Sequence, residues 1–139
     1  MDIIRLSPVK TSDHKFLYEL LLQRRPLANI SHKRMPTYEE HVSFVKSEPY
    51  SRWYIITHKR KKIGSIYLTK QNEIGIHLMR DHEKKTVYLE SIRKLMIENS
   101  RNRYLANISP LNKKYIQLFV GLGFKLIQHT YELDERDVV

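Results

Sequence analysis

Three strand-like segments follow one another in the middle of the chain with short gaps between them. They cover residues 52–57, 62–68 and 73–78, so each gap holds four residues. The last segment shows the period of two that marks a strand with one buried face, because Ile74, Ile76 and Leu78 alternate with polar or small residues. Gaps this short connect only antiparallel neighbours. The sequence therefore predicts an antiparallel meander at the centre of the fold.

Helical and further strand patterns flank the meander on both sides. Apolar spacing and end signals predict helices over residues 12–24, 37–47, 83–100 and 109–121, and strands over residues 3–6, 104–108 and 124–131. The last helix is expected to begin at Ser109-Pro110, a serine cap followed by a proline at the first helical position. The passage from the meander through the third helix to the next strand is long enough for a parallel crossover. We expect the α/β class: a mixed, mostly antiparallel central sheet with helices on both faces, in one domain over residues 1–139.

The composition excludes several classes of protein. With 41% hydrophobic residues and nine tyrosines, a chain of 139 residues can form a core and does not resemble a disordered one. The chain has no cysteine, which excludes disulfides, a thiol nucleophile and cysteine-ligated metal centres, and its seven histidines lack metal-site spacing. No apolar run reaches the roughly 18 residues of a membrane span. We therefore expect a cytoplasmic protein with neither a bound metal nor a membrane partner.

The net charge of +10 is concentrated in the first half of the chain. Residues 1–70 hold 14 of the 25 Lys and Arg residues but only 6 of the 15 acidic ones, and the densest cluster is His58–Lys62 in the first hairpin turn. Such a surplus attracts anions, whether a nucleic acid, a cofactor or a sugar nucleotide. Nucleic-acid binding would need basic residues interleaved with aromatics on an exposed sheet, and we rank it last.

The C-terminal third carries a family resemblance. Residues 106–124 place Asn112 near a helix start, Leu118-Phe119 within the helix, and Leu122-Gly123-Phe124 at the entry to the last strand. With the order of elements, this resembles the GNAT superfamily of acyl-CoA-dependent N-acetyltransferases over nearly the whole chain. Residues 36–41, 53–56 and 63–64 look more narrowly like the sugar-nucleotide N-acetyltransferases of nonulosonic-acid pathways.

The resemblance implies transfer of an acetyl group from acetyl-CoA to a primary amine. In that family the acyl-CoA lies where the strand at 73–78 and the strand at 104–108 splay apart. Backbone groups of Ile76 and Leu78 would pair with the pantetheine arm, and an N–H there would stabilise the oxyanion that forms during attack. Asn112 matches the family asparagine that contacts this arm, although a polar residue is also ordinary in the first turn of a helix.

The family's pyrophosphate loop aligns with residues 83–88 of this chain. There an acid, Glu83, replaces the family's Gln or Arg, and Thr86 and Tyr88 replace two small residues. Contacts to the phosphates are assigned to Lys84, Lys85 and Thr86. These departures motivate a second hypothesis, a GNAT-like domain that serves as a non-catalytic binding module.

Three side chains are candidates for proton transfer. Glu73 and His77, at the start and near the end of the third meander strand, are alternative bases, acting directly or through water. The family's tyrosine acid corresponds to Phe119, which has no proton to donate, so Tyr115, one turn earlier, is the substitute. Each also has an ordinary structural explanation, a surface histidine, a surface carboxylate or a core tyrosine.

The acceptor side of the site is assigned to Arg34 and His41, which flank the loop and helix where family members admit the amine. Arg34 could pair with a phosphate of a sugar nucleotide, while a solvated arginine is the ordinary alternative. His41 lies on the apolar stripe of its helix and can equally be a buried structural residue. The acceptor is expected to be a small-molecule amine, with an anionic one favoured by the charge, and the choice between monomer and homodimer stays open.

Overall fold

The structure is a computed structural model that describes residues 3–24 and 35–138. Four antiparallel strands form one sheet in the order β1-β2-β3-β4. They are β1 (Ile4–Pro8), β2 (Arg52–His58), β3 (Lys61–Leu68) and β4 (Ile74–Leu78). The predicted meander is confirmed, and β1 pairs with its β2 edge.

Four helices cover the two faces of this sheet: α1 (His14–Leu22), α2 (Tyr38–Lys46), α3 (Lys85–Glu98) and α4 (Lys113–Gly121). On one face, Leu17 of α1 and Val45 of α2 pack against Ile55 of β2. On the other, residues of α3 and α4, including Ile92 and Phe119, form the larger core with alternate residues of the strands. The predicted α/β class with helices on both faces is therefore confirmed.

Local signals explain why the elements begin and turn where they do. Thr37 and Glu40 form the capping box of α2: the Glu40 N–H donates to Thr37 Oγ1 at 3.1 Å, and the Thr37 N–H donates to Glu40 Oε1 at 2.8 Å. The β2–β3 hairpin turns at Lys59 and Arg60, both with positive φ. Lys62, the last residue of the basic cluster His58–Lys62, forms an ion pair of 2.6 Å with Asp13, whose side chain is only 2% exposed. This ion pair anchors the start of α1 to β3.

Several predicted boundaries differ from the structure, among them those of the following three elements. The strand expected over residues 104–108 is reduced to one parallel bridge, between Leu105 and Glu73. The last helix begins at Lys113 instead of Ser109, because Asn112 is the cap and its side chain accepts from the Tyr115 N–H at 3.3 Å. The third helix covers Lys85–Glu98, two residues shorter at each end than the pattern predicted.

The strand predicted over residues 124–131 is wrong. The turn after α4 closes at Gly123, whose φ of 104° suits glycine, and the Phe124 N–H returns to the Phe119 carbonyl at 3.0 Å. The chain then runs on without strand pairing, and its apolar side chains are exposed, Leu126 by 74% and Tyr131 by 88%. Among the described residues no strand lies beside this segment, and apolar alternation alone cannot supply the missing backbone partners. Across residues 3–24 and 35–138, no helix has the length and hydropathy to cross a membrane.

Candidate active site at the free edge of strand β4

A wedge opens between β4 and the segment that follows α3. The Ile74 N–H donates to the Leu105 carbonyl at 2.7 Å, and the Leu105 N–H donates to the Asn72 carbonyl at 2.8 Å. Beyond this point no bridge joins the two segments in the described part of the chain, and a cleft of about 980 Å³ takes the place of a strand. Its volume is at the upper end of the range for small-ligand sites.

The cleft is lined by backbone groups of β4 that have no neighbouring strand. In the β3–β4 ladder, Gly75 lies opposite Tyr67 and His77 opposite Ser65, while the Ile74 N–H points outward to Leu105. In an antiparallel strand, the N–H and C=O of one residue point to the same edge, and those of the next residue point to the opposite edge. The N–H groups of Ile76 and Leu78 therefore point into the cleft. This is the orientation that the sequence analysis assigned to the two residues.

Tyr115 crosses the wedge from α4. Its hydroxyl donates to the Ile76 carbonyl at 3.0 Å, and burial raises the pKa of the phenol above its ordinary value, so it stays protonated. Phe119, the position of the expected family tyrosine, is instead 1% exposed in the core, with its ring centroid 5.1 Å from that of Tyr115. Tyr67 and Tyr88 also line the cleft, and Tyr115 is the tyrosine whose hydroxyl bonds the outer edge of β4.

The rim of the cleft is mostly basic. Its lining includes five cations, against the carboxylates of Glu73 and Glu83: Arg24, Arg80, Lys85, Lys113 and Lys114. Of the three residues assigned to the phosphates, Lys85 lines the cleft, whereas Lys84 and Thr86 are not among its lining residues. Asn112, which was assigned to the pantetheine arm, lines the cleft as well. Lys85, at the start of α3, is therefore the assigned phosphate contact that faces the cleft.

Glu73 lies at the closed end of the wedge. Its carboxylate accepts from Thr69 Oγ1 at 3.0 Å and from Asn107 Nδ2 at 2.6 Å, so both oxygens are engaged. These bonds tie the turn before β4 to the segment after α3 at the point where the two begin to part. The geometry gives Glu73 a clear role in holding the wedge closed at this end.

His77 has a different position. Its side chain lies on the sheet face covered by α1 and α2, with its ring centroid 6.4 Å from that of Tyr67. A second cavity, of about 440 Å³, lies on this face. His77 lines both cavities, together with Leu20, Arg24 and Tyr67. The four residues form the junction between the cavities, and Glu73 lines only the first.

The second cavity has an aromatic wall, which we define as Phe44, Tyr50, Trp53 and Tyr67. The rings of Tyr50 and Tyr67 stack with centroids 3.8 Å apart, and the edge of Trp53 meets Tyr50 at 4.7 Å. Burial raises the pKa of Tyr50 and of Tyr67, so both hydroxyls are neutral in the ordinary pH range. Because α1 and α2 cover this face, its aromatics do not form the exposed platform that nucleic-acid binding requires.

Of the two residues predicted to bind the acceptor, the structure describes His41 but not Arg34. His41 is buried on α2 and lines the second cavity, with its ring 5.5 Å from that of Tyr18. Arg34 lies outside the described residues. The structure adds Arg24, Tyr50 and Tyr67, which the sequence analysis missed. One signal for Tyr67 was present in the sequence: the hairpin places it opposite Gly75, a residue small enough to leave room for its ring.

Known structures share this architecture. No protein-family model and no curated protein sequence matches the chain. A domain from Methanocaldococcus jannaschii matches at 23% identity and a TM-score of 0.73, over 95% of this chain and 94% of that one. An acetyltransferase from Thermus thermophilus matches at 15% and 0.69, over 90% and 88% of the two chains. RimL, a ribosomal L7/L12 alpha-N-protein acetyltransferase solved with coenzyme A, matches at 16% and 0.73, over 90% and 81%. The chain therefore has the fold of solved N-acetyltransferases.

Proposed function

We propose that this protein is an acyl-CoA-dependent N-acetyltransferase that moves an acetyl group from acetyl-CoA to a small-molecule amine. One observation carries the proposal: the free edge of β4, whose Ile76 and Leu78 N–H groups point into a large cleft with a basic rim. An extended pantetheine arm can pair with such an edge as a strand would, and cations at the rim suit the phosphates. The shared fold with solved acetyltransferases supports the same conclusion.

The edge N–H groups of β4 provide the electrostatic part of the mechanism. When the amine nitrogen attacks the thioester carbon, the carbonyl oxygen becomes an oxyanion. A fixed N–H of Ile76 or Leu78 stabilises that charge without reorganising, because the sheet already holds it in place. The new N–C bond forms as the C–S bond breaks, which leaves a thiolate and a proton on the product nitrogen.

His77 is the better candidate for the base that takes this proton. It lies at the junction of the two cavities, where an amine entering from the second cavity meets a thioester bound in the first. An imidazole has an ordinary pKa near 6.5, which suits proton removal at neutral pH. Glu73 remains the alternative base through a water, but its two oxygens already accept hydrogen bonds from Thr69 and Asn107.

Tyr115 is the proton donor to the leaving thiolate, and the proton that His77 takes from the amine returns to the phenolate through water. It is a neutral phenol inside the cleft, and its hydrogen-bond acceptor, the Ile76 carbonyl, belongs to the edge that would hold the pantetheine arm. An arm paired with β4 would compete for this carbonyl and turn the phenol toward the sulfur. Tyr115 thus takes the role that Phe119 cannot.

The second candidate is a binding module that has lost turnover. The observation in its favour is the first turn of α3, where Tyr88 stands at a family position for a small residue, with its ring centroid 5.8 Å from that of Tyr115. Binding of acetyl-CoA without transfer to any amine would support this candidate.

A thiol-release assay with acetyl-CoA and a panel of amines tests the proposal. The panel holds a simple alkylamine, spermidine, aromatic and aliphatic amino acids, and an amino-sugar nucleotide, the acceptor that the sequence resemblance indicated. We expect release that depends on one class of amine. Failure of every amine, together with the absence of any thermal shift at millimolar acetyl-CoA, would overturn the enzyme assignment.

A further inference from the structure

The second cavity carries information about which amine is acetylated, and the inference here rests on the proposed function. We propose that Arg24 binds an anionic group of the acceptor while the aromatic wall holds an apolar, planar body. The acceptor class is therefore an amine that carries a carboxylate or phosphate and a flat apolar group, rather than a polyamine.

Arg24 lies where the two cavities meet. It follows the C-terminus of α1, where its N–H donates to the Leu21 carbonyl at 3.2 Å, and its side chain lines both cavities. The neighbouring Gln23 accepts from the Arg80 N–H at 3.2 Å, which fixes this end of α1 over the region after β4. Arg24 is thus held at the junction where His77 also lies.

The environment of Arg24 favours an anionic ligand. The guanidinium is half-buried beside the rings of Tyr50 and Tyr67, and desolvation lowers its pKa from the ordinary value. A partly desolvated cation gains most from a carboxylate or phosphate, which guanidinium groups bind in a two-pronged geometry.

The second cavity has too few carboxylates to suit a polycationic acceptor. Among the described lining residues, Glu40 contributes the one carboxylate, and it lies on the exposed side of α2 with Oε1 engaged in the capping box. A polyamine would need several carboxylates to compensate its ammonium groups, and here its inner end would meet the Arg24 cation. An acceptor with one amine and one nearby anion matches the pair His77 and Arg24.

The aromatic wall determines the remaining part of the acceptor. Four aromatic side chains from α2, β2, β3 and the segment before β2 line the cavity. The indole N–H of the wall is already used, since Trp53 Nε1 donates to Ser65 Oγ at 2.7 Å, and Phe44 has no polar group in its side chain. What the wall offers to a ligand is therefore ring surface, which favours flat apolar groups.

Binding can be measured without turnover, because Trp53 is the chain's single tryptophan and lies in the wall. We would titrate the protein with phenylalanine and with phenethylamine, its analogue without the carboxylate, and follow tryptophan fluorescence. An amino-sugar nucleotide forms the phosphate arm of the experiment, and spermidine is the polycation. We expect phenylalanine or the nucleotide to bind at least about tenfold more tightly than phenethylamine, and spermidine to bind weakest.

Arg24→Gln then tests the residue itself. It should remove the preference for the anionic ligand while binding of phenethylamine changes by less than about threefold, and the exposed Arg93→Gln on α3 should keep the full preference. A preference that survives Arg24→Gln, or tighter binding of phenethylamine or spermidine in the wild type, would overturn the inference. Fluorescence reports binding alone. A failed thiol-release assay would therefore contradict the proposed enzyme activity without changing the outcome of the binding test.

Tyr50→Ala tests the wall independently. It should weaken phenylalanine several-fold more than alanine, since only the former has a ring to stack, and Tyr131→Ala, at an exposed position far along the chain, should weaken neither. Equal effects on phenylalanine and alanine would contradict the role of the wall.

Discussion

The hydroxyl of Tyr115 donates to the backbone carbonyl of Ile76 at 3.0 Å and links α4 to the free edge of β4. The bond fills part of a wedge that no strand closes among the described residues. It places a neutral phenol next to the edge N–H groups that stabilise an oxyanion in the proposed mechanism. In the proposed mechanism the same hydroxyl is also the proton donor, and the stability and turnover of a substituted protein report the two roles separately.

Tyr115→Phe should lower both stability and turnover. Loss of the bond leaves the Ile76 carbonyl without this donor and should cost about 1 kcal/mol in the free energy of unfolding, measured by urea denaturation. Loss of the proton donor should reduce acetyl transfer by about a hundredfold. The exposed Tyr131→Phe is the matched control and should change neither quantity. Wild-type turnover in Tyr115→Phe would remove Tyr115 from the mechanism.

Gly75→Ala should destabilise the sheet at the site. A methyl group at this position would overlap the ring of Tyr67, which lies directly over Gly75. Forcing the ring aside should cost about 1–3 kcal/mol and weaken ligand binding in the second cavity. In Gly121→Ala the new methyl meets nothing within 4 Å, so that variant should be neutral or slightly stabilised. Equal stability of the two variants would show that Tyr67 does not lie where described.

His77→Ala should reduce kcat/KM by about a hundredfold, because the base at the junction is lost. Glu73→Gln should reduce it by less than about tenfold, since the amide can still hold the wedge through one oxygen. Affinity for acetyl-CoA should be unchanged in both variants, which separates the chemical step from binding. The reverse order of effects would assign the base to Glu73, and wild-type rates in both would remove both residues.

Stability should fall as the pH rises above about 10. Burial raises the pKa of Tyr50, Tyr67 and Tyr115 above the ordinary tyrosine value, so above a pH of about 10 the unfolded chain loses protons that the folded chain keeps. Each such group lowers the free energy of unfolding by up to about 1.4 kcal/mol per pH unit in that window. Urea denaturation across the window should show a shallower fall in Tyr115→Phe. A flat profile in the wild type would indicate that these hydroxyls are accessible to water.

The edge residues Ile76 and Leu78 were assigned through the family resemblance. The meander and the four helices were predictable from the sequence itself. Their signals are local: period-two alternation, a capping box, and gaps too short for anything but hairpins. The strand predicted over residues 124–131 is wrong, because a strand depends on a partner whose position is not encoded in its own alternation. For the same reason the strand predicted over 104–108 was too long, since only Leu105 forms a bridge.

The candidate site was predictable only where a residue belongs to a regular element. The alternation of the strand places His77, whereas Tyr115 and Lys85 were assigned by aligning the helices with the family that the sequence resembles. Arg24 followed from neither, since its position depends on how the end of α1 is held against the region after β4 by Gln23 and Arg80. The stack of Tyr50 on Tyr67 is a tertiary contact between residues 17 positions apart, which no local pattern reports.

Calorimetric titration of acetyl-CoA tests the central claim most directly, because the whole account depends on acyl-CoA binding along β4. The account predicts one saturable binding event per chain, weakened by added salt and by at least about tenfold in Lys85→Glu, where a cation that lines the cleft is reversed. Lys125→Glu, an exposed lysine after α4, should keep wild-type affinity. No binding at millimolar acetyl-CoA, or equal weakening in the two variants, would contradict the account.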